Sequence, residues 1–554
     1  MDRNKSTVKM DKVLAVASLS VVFLSVLALS IFSEQSIAFA EKLMYWCTSL
    51  FSGPVLLFAF FACIFVVGLA FSKYGHIKLG EGKPEYGTAS WIFMFILAGL
   101  GSSTLYWGFL DWAYYYQTPG LNISSNTPEA LKYSVPYTMF HWTFSAWAIY
   151  ALASITACYS FHVRKNKGLS LASIVESITG FKATGIVGRG IDLLFLLCMF
   201  GALTISLVLT AVTFTNILSS LTGIPNTFVT NAIIVVFVSI LFALSSYVGM
   251  DSGMKRLSSM VCIGVLGYAV YIFIVGPTQF ILNNTITSIG VMFSNFVSMS
   301  LFTDPLGDGK FTREWTVFYW LWWTSYAPGV ALFVTRVSKG RTIKEVLLAM
   351  VLGGSAGMWF FFGVFENYSI FHFINGTVNV PEILSTQGGE VAIAQLLNLL
   401  PGGTIMMWIF LVIMVIFLAA HMDAVGYAVS ATCSRGLVEG QDPSPRIRLF
   451  WCVMLTLVPL AMIFSKAPLD TMKAATVVTA LPFIVIILIQ TYGLMKWLSE
   501  DYAKLPSYMI EKGEKSESLK RLQQQDDLPL APIQPVLNVG GASPELTVSS
   551  EGKS

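Results

Sequence analysis

The sequence predicts an all-α polytopic membrane protein of about twelve transmembrane helices, built as an inverted five-helix repeat preceded by two extra helices. Three observations carry that expectation. Of 554 residues, 55% are hydrophobic and only 12% charged, with a mean hydropathy of +0.69, which is too much apolar surface for a water-soluble core to hide. The apolar residues gather into separate runs, each close to the roughly 20 residues a bilayer requires. Lys and Arg crowd into alternate connections between those runs, the asymmetry that fixes membrane orientation.

In chain order the spans are expected near 12–33, 50–72, 88–110, 137–162, 190–218, 227–248, 258–282, 314–335, 345–365, 403–432, 448–465 and 474–497. The first is long and lacks a small-residue cleavage site, so it reads as a retained span rather than a signal peptide. Arg3, Lys5, Lys9 and Lys12 precede it. Arg164, Lys165, Lys167, Lys182 and Arg189 lie between the fourth and fifth spans, and Arg336, Lys339, Arg341 and Lys344 follow the eighth. Lys255, Arg256, Arg435, Arg446 and Arg448 fall on the same side, whereas loops 34–47, 111–136 and 366–402 are poor in basic residues. Both termini are therefore expected in the cytoplasm, with the chain in the plasma membrane, the inner membrane if bacterial. The net charge of +3 restates this asymmetry and supports no nucleic-acid partner; the expected partner is the lipid bilayer.

The seven cysteines lie in or beside apolar spans with no C-x-x-C pair, which indicates neither a disulfide framework nor a metal site. Asn122, Asn283, Asn367 and Asn375 open glycosylation sequons at expected outer positions, a pattern short enough to arise by chance and without meaning in a bacterium. From about residue 500 the chain turns polar and ends rich in Pro, Gly and Ser, which reads as a short helix followed by a disordered tail.

Transporters built on inverted repeats place their site near mid-membrane, where matching helices of the two halves are interrupted by Gly or Pro. Two spans qualify. The third carries Ala98, Gly99, Leu100, Gly101, Ser102 and Ser103, and the eighth carries Ala327, Pro328 and Gly329. They stand five spans apart, so spans three to seven and eight to twelve form the two repeats, and the odd spacing inverts one against the other. The expected divisions are a cytoplasmic N-terminus 1–11, two peripheral helices 12–87, a first repeat 88–285, an outer connecting segment 286–313, a second repeat 314–497 and a cytoplasmic tail 498–554.

The eighth span is also crowded with aromatics. At about 100° per residue, Trp315, Tyr319, Trp322 and Tyr326 form a stripe roughly 60° wide, with Trp323 beside it. A quaternary ammonium has no N–H to donate, so aromatic faces within about 6 Å are the usual means of holding it. Any one of these rings, taken singly, fits helix packing or an interfacial belt; four in register ahead of a Pro-Gly pair favour a cage. On the fourth span Trp142, Trp147 and Tyr150 share a sector about 140° wide, which would close the cage from a second side.

These residues resemble the betaine/choline/carnitine transporters over roughly residues 12–497. The matching motifs are Tyr106-Trp107-Gly108 with Asp111 and Tyr114-Tyr115-Tyr116, His141-Trp142 through Trp147 and Tyr150, 249–258, and Trp315 through Trp323 followed by Arg336-Val337-Ser338-Lys339-Gly340-Arg341-Thr342. Phe302 through Gly307 and Gly223-Ile224-Pro225 are most similar to the carnitine/γ-butyrobetaine exchanger branch. The resemblance implies a LeuT-type fold, often a homotrimer, that moves trimethylammonium compounds by alternating access. It carries over Trp142, Trp147 and Tyr150 as the fourth-span cage and Trp322, Trp323 and Tyr326 as the eighth-span cage, Tyr326 standing where betaine carriers have Trp. Tyr114 and Trp315 match aromatics lining the exchangers' substrate sites, and Asp111 replaces the family's usual Glu.

The departures concern coupling. Where exchangers have Arg and Met in place of sodium ions this chain has Val261 and Val330, and where sodium-dependent relatives have a Thr-Ser pair it has Ala420 and His421. No cofactor or bound metal is expected, and Na+ and H+ both stay open as coupling ions. An ionisable side chain at membrane depth reads as functional by default, which singles out His421 and Asp423, with Asp111, Thr204, Ser206 and Thr210 as further coupling candidates. The expected function is secondary transport of a quaternary ammonium solute such as glycine betaine, choline or carnitine. The carboxylate, where the solute has one, is expected near Gly99, Gly101, Ser102 and Ser103. A sodium-coupled amino-acid carrier of the same architecture and a channel are the alternatives within transport; an intramembrane enzyme is disfavoured because no nucleophile, HExxH or carboxylate cluster accompanies the histidines.

Overall fold

Twenty-two helices make up the computed structural model, which describes residues 9–99, 101–166, 170–248, 255–435 and 443–526. Leu100 and 249–254, both inside motifs singled out above, lie outside the described residues. The helices are α1 Lys12–Ile31, α2 Ser33–Phe71, α3 Thr88–Gly99, α4 Thr104–Gln117, α5 Pro128–Trp142, α6 Phe144–Cys158, α7 Leu171–Thr179, α8 Ile186–Thr222, α9 Phe228–Val248, α10 Lys255–Val275 and α11 Thr278–Ser300. After them come α12 Val317–Val337, α13 Ile343–Leu348, α14 Gly354–Ile374, α15 Val380–Thr386, α16 Gly389–Asn398, α17 Gly403–Thr432, α18 Pro445–Leu455, α19 Leu457–Phe464, α20 Leu469–Tyr502, α21 Ser507–Glu511 and α22 Glu517–Asp526. π-helical turns extend α6 (Tyr159–Val163), lead into α12 (Thr312–Thr316) and join α13 to α14 (Ala349–Gly353).

Local chemistry sets the ends. Asp11 caps α1 by accepting from the N–H groups of Val13 and Leu14, and Thr127 caps α5 ahead of Pro128, a residue whose fixed φ suits a helix start. Thr342 and Glu345 cap α13 reciprocally, the arrangement of a capping box. Among the described residues nine helices or continuous helical runs are long and apolar enough to cross a membrane. Their outward faces carry Phe23, Leu24, Ile64, Val412 and Val485, all exposed, as a lipid-facing exterior requires.

Several expected boundaries shift. The segment 34–47, expected as an outer loop, is the start of α2, whose 39 residues run to about 58 Å at 1.5 Å per residue. The fourth span begins at Pro128 rather than near 137. The seventh ends at Val275, where Gly276 and Pro277 turn the chain, and α11 then runs through the division placed at 285. The tail remains helical to Asp526. The third span breaks where expected, between Gly99 and Thr104. The expected break at Ala327-Pro328-Gly329 is absent: α12 is continuous through Pro328. Pro328 is buried within the bundle, where the backbone groups a proline frees are tolerated.

One face of the molecule gathers both ends of the described chain and the basic connections. Lys9–Met10 pairs antiparallel with Ser434–Arg435, and Lys73 Nζ caps the end of α20 on the carbonyl of Ala503 at 2.8 Å. Gln523 donates to the Val163 carbonyl at 2.6 Å. On the same face the Ser338-to-Thr342 block clasps the segment before α3: Leu79 N–H donates to the Arg341 carbonyl (2.7 Å) and Gly340 N–H to the Leu79 carbonyl (2.6 Å). Arg341 lies 4.5 Å over the Trp91 ring. The end of the eighth span and the start of the third are thereby tied into one unit.

Candidate functional site

The rings of the fourth and eighth spans meet at the centre of the bundle, where α6 and α12 make one of the most extensive helix contacts in the molecule. Trp142, Trp147, Tyr150, Trp315, Trp322 and Trp323 are all buried. Trp142 meets Trp322 at 5.7 Å (82°) and Trp323 at 5.5 Å (85°); Tyr150 meets Trp323 at 4.8 Å (67°) and Trp147 at 5.7 Å (89°). These are edge-to-face contacts, in which the positive rim of one ring rests on the negative face of the next. The eighth-span stripe is continuous, from Trp315 to Tyr319 (6.4 Å), to Trp322 (5.9 Å), to Tyr326 (6.5 Å). On the third span Tyr114 lies 4.9 Å from Trp315, and Trp107 reaches Trp315, Tyr319 and Trp322. All eight expected aromatic residues thus belong to one connected cluster, with Trp107 and Tyr319 as its links.

Hydrogen bonds fix three of these rings. The Trp142 indole donates to Asp111 Oδ2 at 2.8 Å, and the Tyr319 hydroxyl donates to the same carboxylate at 2.8 to 2.9 Å. Trp323 Nε1 donates to the His141 carbonyl at 3.0 Å. That carbonyl is free because the fourth span is interrupted at Thr143, whose φ and ψ of −117° and −120° end α5 and restart α6. Gly354 of α14 gives Trp147 its room, since a Cβ there would overlap the indole. Asp111 is therefore an anchor for the aromatic cluster. His141 is held as core, stacked on Tyr319 at 4.8 Å and hydrogen-bonded to Tyr115 and Thr316.

At the break of the third span the contacts are polar. Ser102 faces His421 of α17, its Oγ 3.4 Å and its N 3.5 Å from Nδ1. A Cβ at Gly101 would touch the same imidazole at 3.4 Å. Ser103 Oγ lies 3.1 Å from Ser206 Oγ of α8, and the Tyr326 ring lies 5.6 Å from that of His421. Thr204 and Thr210 donate to carbonyls of their own helix, those of Phe200 and Ser206. Asp423 is fully buried, about 200° around α17 from His421. Gly99 ends α3. The third, fifth, eighth and tenth spans thus converge on this point. Beyond Pro328, toward α7 and the basic face, Ala153, Phe195, Ala331, Thr432 and Gln490 border a narrow gap of about 10 Å³.

Two buried charges were missed in the sequence. Glu366, within the expected outer loop, accepts from Thr138 Oγ1 (2.7 Å) and Trp112 N–H (3.1 Å). Lys473, one residue before the expected twelfth span, is 1% exposed, and its Nζ lies 3.6 Å above the Trp315 ring. Both sit at span edges, where a charge reads as interfacial.

Comparison with known proteins agrees with this architecture. A family model described as betaine/carnitine/choline family transporter matches residues 12–503. A carnitine transporter of Acinetobacter baumannii is 74% identical over 528 residues, covering 95% of this chain and 96% of that protein. An uncharacterized transporter of Escherichia coli, YeaV, is 57% identical over 446 residues, 80% and 93% of the two chains. A solved Na+-coupled sialic acid symporter shares 16% identity at a TM-score of 0.38, over 80% of this chain and 86% of its own, a likeness too slight to carry inference.

Proposed function

The chain belongs to the betaine/carnitine/choline family of transporters, and from that membership we propose that it carries a trimethylammonium solute through the aromatic cluster by alternating access. The observation that carries this reading is the meeting of Trp142, Trp322, Trp323 and Tyr150 at centroid distances of 4.8 to 5.7 Å. In an edge-to-face contact the partially positive rim of one ring rests on a π-face of the other. The methyl groups of a trimethylammonium bear the same sign of charge and replace those edges like for like. A hydrated small cation would lose far more solvation on entry, which is the source of selectivity.

Trp142, Trp147, Tyr150, Trp322, Trp323 and Tyr326 form the proposed head-group cage, with Tyr114 and Trp315 on its outer side. The backbone and hydroxyls from Gly99 through Gly101, Ser102 and Ser103 would receive the solute's polar end. Spans three to seven and eight to twelve would be the inverted repeats that move against each other, the basic face lying in the cytoplasm of a plasma-membrane protein that works as a homotrimer. Coupling is assigned to the Ser102–His421 junction with Ser206 close by, with H+ or Na+ as the ion; Asp423, Thr204 and Thr210 are the reserve.

The test is uptake into proteoliposomes of betaine, choline, carnitine and γ-butyrobetaine, with and without sodium, a pH gradient or internal solute. Uptake of at least one and competition among them is expected. Failure of all four to enter or compete overturns the reading.

A further inference from the structure

We propose that Lys473 is a charge filter at the outer end of the cage, admitting zwitterionic trimethylammonium solutes and disfavouring those, such as choline, that carry net positive charge. The inference rests on the function proposed above and specifies its substrate class. Lys473 belongs to the first turns of α20, whose start lies on the face opposite the basic loops. Its Nζ stands 3.6 Å from the centroid of Trp315 and 5.1 Å from that of Phe318, donates to the Glu314 carbonyl at 3.2 Å and lies 3.5 Å from Asp470 Oδ1. The side chain is 2% exposed whereas that of Asp470 is 50% exposed, so the ammonium sits beneath the surface on the cluster side of its partner. The chain's own cation already occupies the π-face of a cage aromatic.

Three acidic groups act on Lys473: Asp470 of its own helix, Glu314 of the turn before α12, and Asp111 at the heart of the cluster. Without Lys473 that acidic surrounding would draw in any organic cation. With it, a guest reaching Trp315 meets an ammonium where its own head group would rest. A net monocation gains from the aromatic face but suffers like-charge repulsion at short range in a dry setting. A zwitterion entering past Trp315 suffers the same repulsion at its head and offsets it with a carboxylate that Lys473 attracts, before that carboxylate moves on to Ser102 and Ser103. The aromatic faces recognise the shared trimethylammonium, and Lys473 reads the rest of the molecule.

The experiment is competition against radiolabelled carnitine uptake by the full-length protein in proteoliposomes, using γ-butyrobetaine and choline as the two competitors. Wild type is expected to require at least about tenfold more choline than γ-butyrobetaine for half-inhibition, about 1.4 kcal/mol. Lys473→Met should shrink that ratio by about tenfold, and Lys473→Arg should hold it. Because loss of a buried charge can cost folding, Asp470→Asn gives an independent arm: it strips the ammonium of its exposed counter-charge and should widen the ratio by roughly two- to threefold. A Lys473→Met protein that transports carnitine with an unchanged ratio overturns the inference, as does an unchanged ratio in Asp470→Asn. A wild type that takes up no trimethylammonium solute overturns the functional reading itself, an outcome visible before any variant is made.

Discussion

The aromatic cluster and the break of the third span lie within one site, yet they are held by different forces. Around the rings the hydrogen bonds lie within the ordinary range: Asp111 binds Trp142 and Tyr319 at 2.8 to 2.9 Å, and the His141 carbonyl holds Trp323 at 3.0 Å. At the break, Ser102 approaches His421 only to 3.4 to 3.5 Å, at or beyond the ordinary range of a hydrogen bond. A cage that recognises by shape gains from preorganisation, whereas a junction that must open and close in each cycle gains from loose contacts. On the function proposed above, the difference would place recognition on the fourth and eighth spans and movement on the third and tenth.

Substitutions separate the two. The largest effect is expected for Trp323→Leu, which removes a ring face and leaves the His141 carbonyl unpaired; apparent affinity for the solute should fall roughly 30-fold or more, from about 2 kcal/mol for a desolvated cation–π contact. Uptake titrations of the variant measure it, and normal transport would break the assignment. Next comes Asp111→Asn, which keeps the shape but replaces one of the two carboxyl oxygens that accept from Trp142 and Tyr319 with an NH2 donor. About a tenfold loss of affinity is expected, with maximal rate much less affected. A smaller, kinetic effect is expected for His421→Ala: a few-fold drop in turnover at unchanged affinity, read from uptake titrations. Full turnover in the variant would take His421 out of the coupling step.

The smallest effect belongs far from both regions. The hydrogen bond from Lys515 holds the Glu81 carboxyl below its ordinary pKa, so the contribution of this pair is present above the unfolded value and fades as pH falls through the folded one. Glu81 is almost fully exposed, and Glu81→Gln should change thermal stability by less than about 0.5 kcal/mol and leave transport intact.

Part of this contrast was legible in the sequence. The tenth span was read as 403–432, and α17 occupies Gly403–Thr432, because an uninterrupted apolar run leaves no other reading. The third-span break was legible because Gly99, Gly101, Ser102 and Ser103 cluster within five positions. Proline was a poorer guide. Pro328 sits inside a continuous helix, while Gly276-Pro277, overlooked inside an apolar run, ends α10. The two differ in surroundings: a Cβ at Gly276 would clash with the Ile272 carbonyl, so only glycine permits that turn, whereas Pro328 is buried in an otherwise regular helix. The aromatic stripe followed from helical spacing, but its anchors did not. Neither the hold of Asp111 on Tyr319 nor the place of Lys473 over Trp315 is legible there, since partners more than 100 residues apart in sequence leave no periodic trace.

The central claim is that ring faces, rather than hydrogen-bond acceptors, select the solute. It is tested most directly by competition of γ-butyrobetaine against γ-aminobutyrate, which differ only in the three methyl groups, for uptake by the wild-type protein. The account predicts that the methylated compound competes at least about 100-fold better. Equal competition, with uptake strictly dependent on sodium, would contradict it and favour an amino-acid carrier.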